Sequence, residues 1–385
     1  MKKLICTQCK VAFEDHYLQC KNCGNHCYDF SNDDTFLQEE AKKVQTKRAK
    51  LGLEGLVGGL ECIVINTEPE RQEAAIQELL NFTGFEFTQA FEDEQIRTAV
   101  LAANGSADIL IQSRKQINPF GGPNIFPKAA HLPNTRLETF VFRTTDLDRY
   151  VNIQINQGVR FLTETIVESA HFRFIQTIPS IHSEISYGYI EWKTSEKDYA
   201  SDKSQPLRWQ FSSPSNMLIR NIKKLDHTAT RVEARNRDAA IIEFMTMTNY
   251  HFEFSIYVKI FNSITNVARL ESDDFAMVFT SGIHPYTDDD HSGPTEKFIQ
   301  NYGPRVHHMA FRTEQIEDTF DALKENGMDF LIGLVGNEQD GLKQTFSELS
   351  ENTLLVNEYI HRYGDFDGFF TASNVTLLTG ATDKQ

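Results

Sequence analysis

Two histidines, one glutamate and four cysteines stand at spacings that could do chemistry. His227 and His308 hold the third position of two related strand-like stretches, 225–232 and 306–313. Two earlier copies, 60–67 and 137–144, carry Cys62 and Thr139 there. The copies begin 77, 88 and 81 residues apart. A metal-type side chain therefore recurs at one strand position, and only in the C-terminal half. Alternation along a strand groups His227 with Leu225 and Ala229, and His308 with Val306 and Ala310. It points His307 the other way, with Met309 and Phe311. If the two units are related by a pseudo-twofold axis, both imidazoles face one point. A carboxylate is expected on a later strand, within 354–362, where Val356, Glu358 and Ile360 share a face. A carboxylate between β-branched apolar neighbours is costly unless it is paired or metal-bound. Two imidazoles and one carboxylate leave three coordination positions open, the arrangement of a non-haem Fe(II) site. Taken singly, each histidine reads as a satisfied core residue and Glu358 as an edge charge; the shared repeat position tips the balance toward a metal.

Cys6-x-x-Cys9 and Cys20-x-x-Cys23 form two knuckles separated by ten residues. Four thiolates at this spacing close a tetrahedral Zn(II) site in a ribbon-like hairpin. Four-sulfur iron fits the same spacing, and His16, His26 and Cys27 are spare donors. A closed site has no open position, so its expected role is structural or docking, with a protein partner or with the rest of the chain.

The elements that must position these groups follow from the repeat. Each copy reads as a strand, a helix and further strands. Within 70–80, Ala75, Ile76 and Leu79 make one apolar helix face. The stretch 315–324 reads as a helix stopped by Asn326-Gly327. Four βαβββ-like units of about 80 residues predict an α+β fold of two curved-sheet halves around a pocket. The expected divisions are a ribbon-like module at 1–30, an exposed, charged helical connector at 31–56, an N-terminal half without metal at 58–214, and a C-terminal half carrying the metal at 220–385.

Composition bounds the partners. The chain has 385 residues and a formal charge of −16, from 54 acidic and 38 basic residues. That balance repels phosphate backbones, so no nucleic acid is expected. No stretch has the apolar length of a membrane span, and the N-terminus lacks the apolar core of a signal peptide. A cytoplasmic protein, with no membrane partner, is the resulting expectation. Five of the six cysteines lie within the first 27 residues, in metal-type rather than disulfide spacing.

With these residues in view, the C-terminal half resembles the 4-hydroxyphenylpyruvate dioxygenase family of the vicinal-oxygen-chelate superfamily. Asp226-His227 matches the Asp-His that opens the third unit there. The stretch 298–310, with Gly303 and His308-Met309-Ala310, is similar to the helix, turn and His-x-Ala that follow. Gln344-Thr345-Phe346-Ser347 and Glu358-Tyr359-Ile360-His361-Arg362 match two later strands, and Gly368-Phe369-Phe370 with Asn374 is similar to the final gate helix. The resemblance covers 220–378; over 58–214 only the repeat is shared. It implies Fe(II) held by His227, His308 and Glu358. Gln344, Phe346, Phe370 and Asn374 are then the residues around the reacting molecule, with Phe346 as an aromatic wall. It implies a small 2-oxo acid and O2 as substrates. The acid supplies two electrons by decarboxylating, and the products are homogentisate or, as in hydroxymandelate synthase, a mandelate. A homo-oligomer is also expected.

The sequence departs from the family pattern at two clear places. His307 stands where the family has Gln, and Val375 where it has a second Phe. Family Ser and Asn positions facing the substrate align near Val267 and Ile283. The metal site looks intact and the aromatic pocket altered, which leaves the substrate open. The competing readings are a non-catalytic adaptor or sensor with a pocket, and extradiol cleavage.

Overall fold

Each repeat folds as a strand, a helix on its outer face and further strands. The computed structural model describes residues 34–116, 118, 124–364, 366 and 368–385 in full, and the backbone of three short strands before them. Those three, Lys3–Cys6, Ala12–Glu14 and Cys27–Asp29, form an antiparallel sheet with Lys3–Cys6 in the middle. Of the expected zinc ligands, Cys9, Cys20 and Cys23 lie outside the described residues, and so does the side chain of Cys6.

Two large sheets follow, of nine and eight strands. In the first, Val57–Asn66 pairs antiparallel with Arg136–Thr144. Each of these has a parallel outer neighbour, Asp108–Arg114 and Ser186–Trp192 respectively. In the second, Ile222–Arg231 pairs antiparallel with Arg305–Thr313, and the parallel neighbours are Ala276–Gly282 and Val356–Arg362. The registers correspond residue for residue. Cys62 faces Val141 and Val64 faces Thr139, just as His227 faces Ala310 and Ala229 faces His308. Each central pair is therefore pseudo-twofold, and the two halves are copies of one α+β plan.

Beside the four repeat positions simple alternation fails at one residue each, for the same reason. Leu225 pairs with Phe311 and His227 with Ala310, so Asp226 is the extra residue of a β-bulge. Ala229 pairs with His308 and Thr230 with Val306, so His307 is another. Glu61 and Glu138 are the matching extras in the first half. The bulges move Leu225 and Val306 away from the histidines, into the core shared with Met309 and Phe311. His307 instead lines the same cavity as His308, which corrects the expectation that it points away.

Helices Gln72–Phe82, Leu147–Asn156, Arg237–Met247 and Ile316–Glu325 contribute apolar residues to one core that runs through both halves. The helix expected at 315–324 stops before Asn326, and Gly327 takes a φ of +91°, the left-handed geometry that ends a helix. The halves are stitched by buried tyrosines. Tyr150 and Tyr189 donate to the Met247 carbonyl at 2.7 and 3.1 Å, and Tyr359 to that of Phe82 at 2.9 Å.

Helix Thr35–Leu51 is not the exposed connector its charges suggest. Phe36, Leu37, Ala41 and Val44 are buried. Arg48 is buried as well, and its Nη1 lies 3.2, 2.9 and 2.7 Å from the carbonyls of Met245, Thr248 and Tyr250. It caps the end of helix Arg237–Met247, where carbonyls lack intrahelical partners. The stripe spaced at 37, 41, 44 and 48 is amphipathic, and the charge pairs on the opposite face obscure it in the sequence.

Candidate metal centre

The second sheet brings His227, His308 and Glu358 together, with their ligand atoms all within 4.8 Å of one another. The register explains it. His227 lies opposite Ala310, and Ala310 is flanked on its other side by Glu358. His308 sits two residues before Ala310 on that middle strand. Small alanines at 229 and 310 leave the space into which the three side chains converge. Nε2 of His227 is 3.1 Å, and Nε2 of His308 is 3.2 Å, from the same oxygen, Oε2 of Glu358. The imidazole planes are nearly perpendicular, at 82°.

Outer partners fix each of the three side chains. Nδ1 of His227 lies 2.9 Å from Oδ1 of Asp226, and Asp226 is clamped by both Nη atoms of Arg362 at 2.6 and 3.0 Å. Nδ1 of His308 lies 2.9 Å from Nδ1 of His307, whose Nε2 lies 2.8 Å from Oε1 of Gln385. Both ligand histidines can therefore carry their proton on Nδ1 and turn an Nε2 lone pair toward Glu358. Gln344 Nε2 donates to Glu358 Oε1, and Asn374 Nδ2 donates to Gln344 Oε1 at 3.1 Å. Two of the residues expected around the reacting molecule thus form a chain of support behind the carboxylate. The other two are aromatic walls. Phe346 lies 4.8 Å from the His308 ring and Phe370 lies 5.1 Å from that of His227.

Electrostatics favour neutral imidazole at one ligand. Burial, with His307 and His227 nearby, holds His308 well below the usual histidine range. At His227 burial acts in the same direction, but Glu358 and Asp226 outweigh it and raise the ring above its ordinary value. Glu358 is 1% exposed, and no lysine or arginine pairs with it among the described residues. Its neighbours are two imidazoles and an amide. A buried carboxylate so placed fits a divalent cation with two nitrogen ligands and one oxygen ligand.

The cavity beside these ligands encloses about 50 Å³. Val375, Leu378 and Thr379 of helix Ala372–Ala381 line it. Alignment to the family placed its polar wall near Val267 and Ile283. Val267 instead packs with Ala229 and Phe369, and Ile283 lines a different depression with His284 and His291. The polar wall comes from Ser263, Thr265, Thr280 and Thr295, with Arg231. Arg231 had a sequence signal: it lies four residues beyond His227 on one strand, hence on the same face.

Among its described residues the first half has no such ligand set. Cys62 and Thr139 hold the histidine positions, and Gly188, beside Val141, holds that of Glu358. A cavity of about 500 Å³ lies there, lined by Cys62, Val141, Phe172 and Phe174 and by the buried pair Arg114–Glu138. No helix among the described residues is long and apolar enough to cross a membrane.

No family model and no curated protein matches the chain. Solved structures do. A mutant of 4-hydroxymandelate synthase from Streptomyces coelicolor superposes with a TM-score of 0.62 at 15% identity, over 86% of this chain and 99% of that one. A xylose isomerase-like TIM barrel/4-hydroxyphenylpyruvate dioxygenase fusion protein gives 0.60 at 12% identity, over 91% of this chain and 58% of that one. With the repeated sheet order and the shared bulges, these likenesses give the chain the glyoxalase-like vicinal-oxygen-chelate fold, two curved-sheet halves each built of paired βαβββ units.

Proposed function

We propose that the chain is an Fe(II)-dependent dioxygenase that oxidatively decarboxylates an aryl 2-oxo acid with O2. One observation carries the reading: the Glu358 carboxylate is buried between two imidazole nitrogens, and among the described residues no lysine or arginine balances it. His227, His308 and Glu358 would hold the iron. When bound, Fe(II) supplies a Lewis acid and a redox centre, with open positions for the chelating keto acid and for O2. The rest falls to the chain. Asp226 and His307 set the imidazole tautomers, Gln344 and Asn374 orient the carboxylate, and Phe346 and Phe370 keep water from the ligands. A cavity of about 50 Å³ holds roughly one or two waters, so helix Ala372–Ala381 must swing outward to admit an aryl 2-oxo acid. The fold shared with 4-hydroxymandelate synthase and with the 4-hydroxyphenylpyruvate dioxygenase fusion supports the assignment.

Anaerobic titration of the Fe(II)-loaded protein with an arylpyruvate should give a weak visible charge-transfer band, and air should then discharge it with release of CO2. A missing band in the wild type, or an unchanged one in His308→Ala, would sink the assignment. Product analysis separates ring hydroxylation from benzylic hydroxylation. We further propose that Cys6, Cys9, Cys20 and Cys23 hold structural Zn(II) as a docking module. One equivalent of zinc, lost in Cys9→Ser, is the expected result.

A further inference from the structure

Arg231 is buried, lines the cavity beside His307, His308 and Glu358, and has no carboxylate partner among the described residues. Its Nη2 donates to Thr382 Oγ1 at 2.9 Å, its Nη1 reaches the Pro294 carbonyl at only 3.4 Å, and the Phe298 ring lies 4.4 Å from its Cζ. A guanidinium offers five N–H donors, so most of these are unused. Burial pushes it down to about 9, which leaves it charged at neutral pH. An unpaired buried cation is costly and calls for an anion. Arg305, also buried, does not line this cavity; its Nη2 donates to the Thr135 carbonyl at 2.5 Å, and Glu184 is close enough to favour its charge.

The surroundings of Arg231 are those of an oxyanion. Ser263, Thr265, Thr280 and Thr295 line the same cavity. The Thr280 hydroxyl is buried and has no hydrogen-bond partner among the described residues, so a donor there is open to an acceptor. Four residues along a strand separate the backbones of His227 and Arg231 by roughly 13 Å. A molecule chelating a metal at His227 would therefore reach Arg231 with its far end. Thr382 follows helix Ala372–Ala381 directly, so an outward swing of that helix would free the Arg231 donors as the cavity opens.

We propose that Arg231 is the specificity-determining residue of this cavity, pairing with a second carboxylate at the distal end of the 2-oxo acid. This rests on the metal-centred reading above and narrows its substrate to a 2-oxo acid with two carboxylates. A phenol at the distal end would leave the cation unpaired.

The test is calorimetric binding of three arylpyruvates to the anaerobic Fe(II)-loaded full chain, with para-carboxylate, para-carboxamide and para-hydroxyl groups. Wild type should prefer the carboxylate over the isosteric carboxamide by on the order of 30-fold or more. Arg231→Met should bring that ratio to about one while binding the carboxamide as well as wild type does, and Arg231→Lys should retain part of the preference. A merely structural arginine would weaken all three ligands together. The proposal is overturned if wild type shows no preference, or if the preference survives in Arg231→Met. Should Arg231→Met not fold, the wild-type ratio and Arg231→Lys decide alone. If none of the three binds, the metal-centred reading fails and takes this one with it; binding without preference removes only this one.

Discussion

Asp226 and His307 hold the same place in two repeats: each is the extra residue of a bulge, and each meets Nδ1 of the histidine after it at 2.9 Å. The matching residues of the first half, Glu61 and Glu138, are polar too, but pair with Arg143 and Arg114 instead. In the C-terminal half the bulge turns the extra residue toward its imidazole and makes it the acceptor for the Nδ1 proton. His307, the departure from the family's Gln, thus keeps the acceptor's job. His307→Leu should weaken metal affinity about 10- to 100-fold, read by competition with a chromophoric chelator. His307→Gln restores an acceptor and should recover most of the loss. Equal affinity in all three proteins would remove His307 from the support of the site.

The convergence of the two histidines and Glu358 could be read from the sequence because it depends on strand register, which a repeat exposes. His227 and His308 hold equivalent positions on two neighbouring strands, and Glu358 stands beside Ala310 on the third. The bulges were not legible, since one extra residue leaves the hydrophobic pattern almost unchanged while reversing which neighbours face inward. Plain alternation therefore puts His307 on the wrong face. The role of Arg48 was hidden for another reason: its partners are backbone carbonyls about 200 residues away, and carbonyls carry no sequence signal.

Glu296 gives a pH dependence of known sign. Its carboxylate is buried, and although the backbone N–H groups of Gly282, Ala234 and Tyr286 donate to it, burial prevails and pushes it up to about 7. A carboxyl raised in the folded state binds its proton more tightly there than in the unfolded chain. Its contribution to stability is therefore largest at low pH and is lost as pH rises from the ordinary glutamate value toward 7. The gap corresponds to roughly 3 kcal/mol. Urea unfolding of wild type and Glu296→Gln at pH 5 and pH 7.5 should show the variant gaining up to about that much relative to wild type at the higher pH. A pH-independent difference would refute the assignment.

Arg48 should hold the N-terminal helix to the C-terminal half. Removing its charge leaves three carbonyls, those of Met245, Thr248 and Tyr250, without their donor. Arg48→Met should lower stability by about 2–3 kcal/mol in urea unfolding, and amide exchange should quicken at the end of helix Arg237–Met247. Unchanged exchange there would mean that the helix is held by its apolar stripe alone.

Glu358 should trade stability for metal. Among the described residues its buried carboxylate faces only two imidazoles and the Gln344 amide, and taking a carboxylate out of water carries a large desolvation penalty. Glu358→Gln removes the charge and keeps the shape, so the metal-free variant should melt at or above wild type. Adding a divalent metal at 100 times its dissociation constant should then stabilise wild type by about 2.7 kcal/mol and leave the variant where it was. The two effects have opposite signs, which separates a ligand from a structural carboxylate: loss of a structural group would lower the melting temperature of the metal-free protein. A variant that melts lower without metal and still responds to metal would show that Glu358 serves the fold rather than the ion.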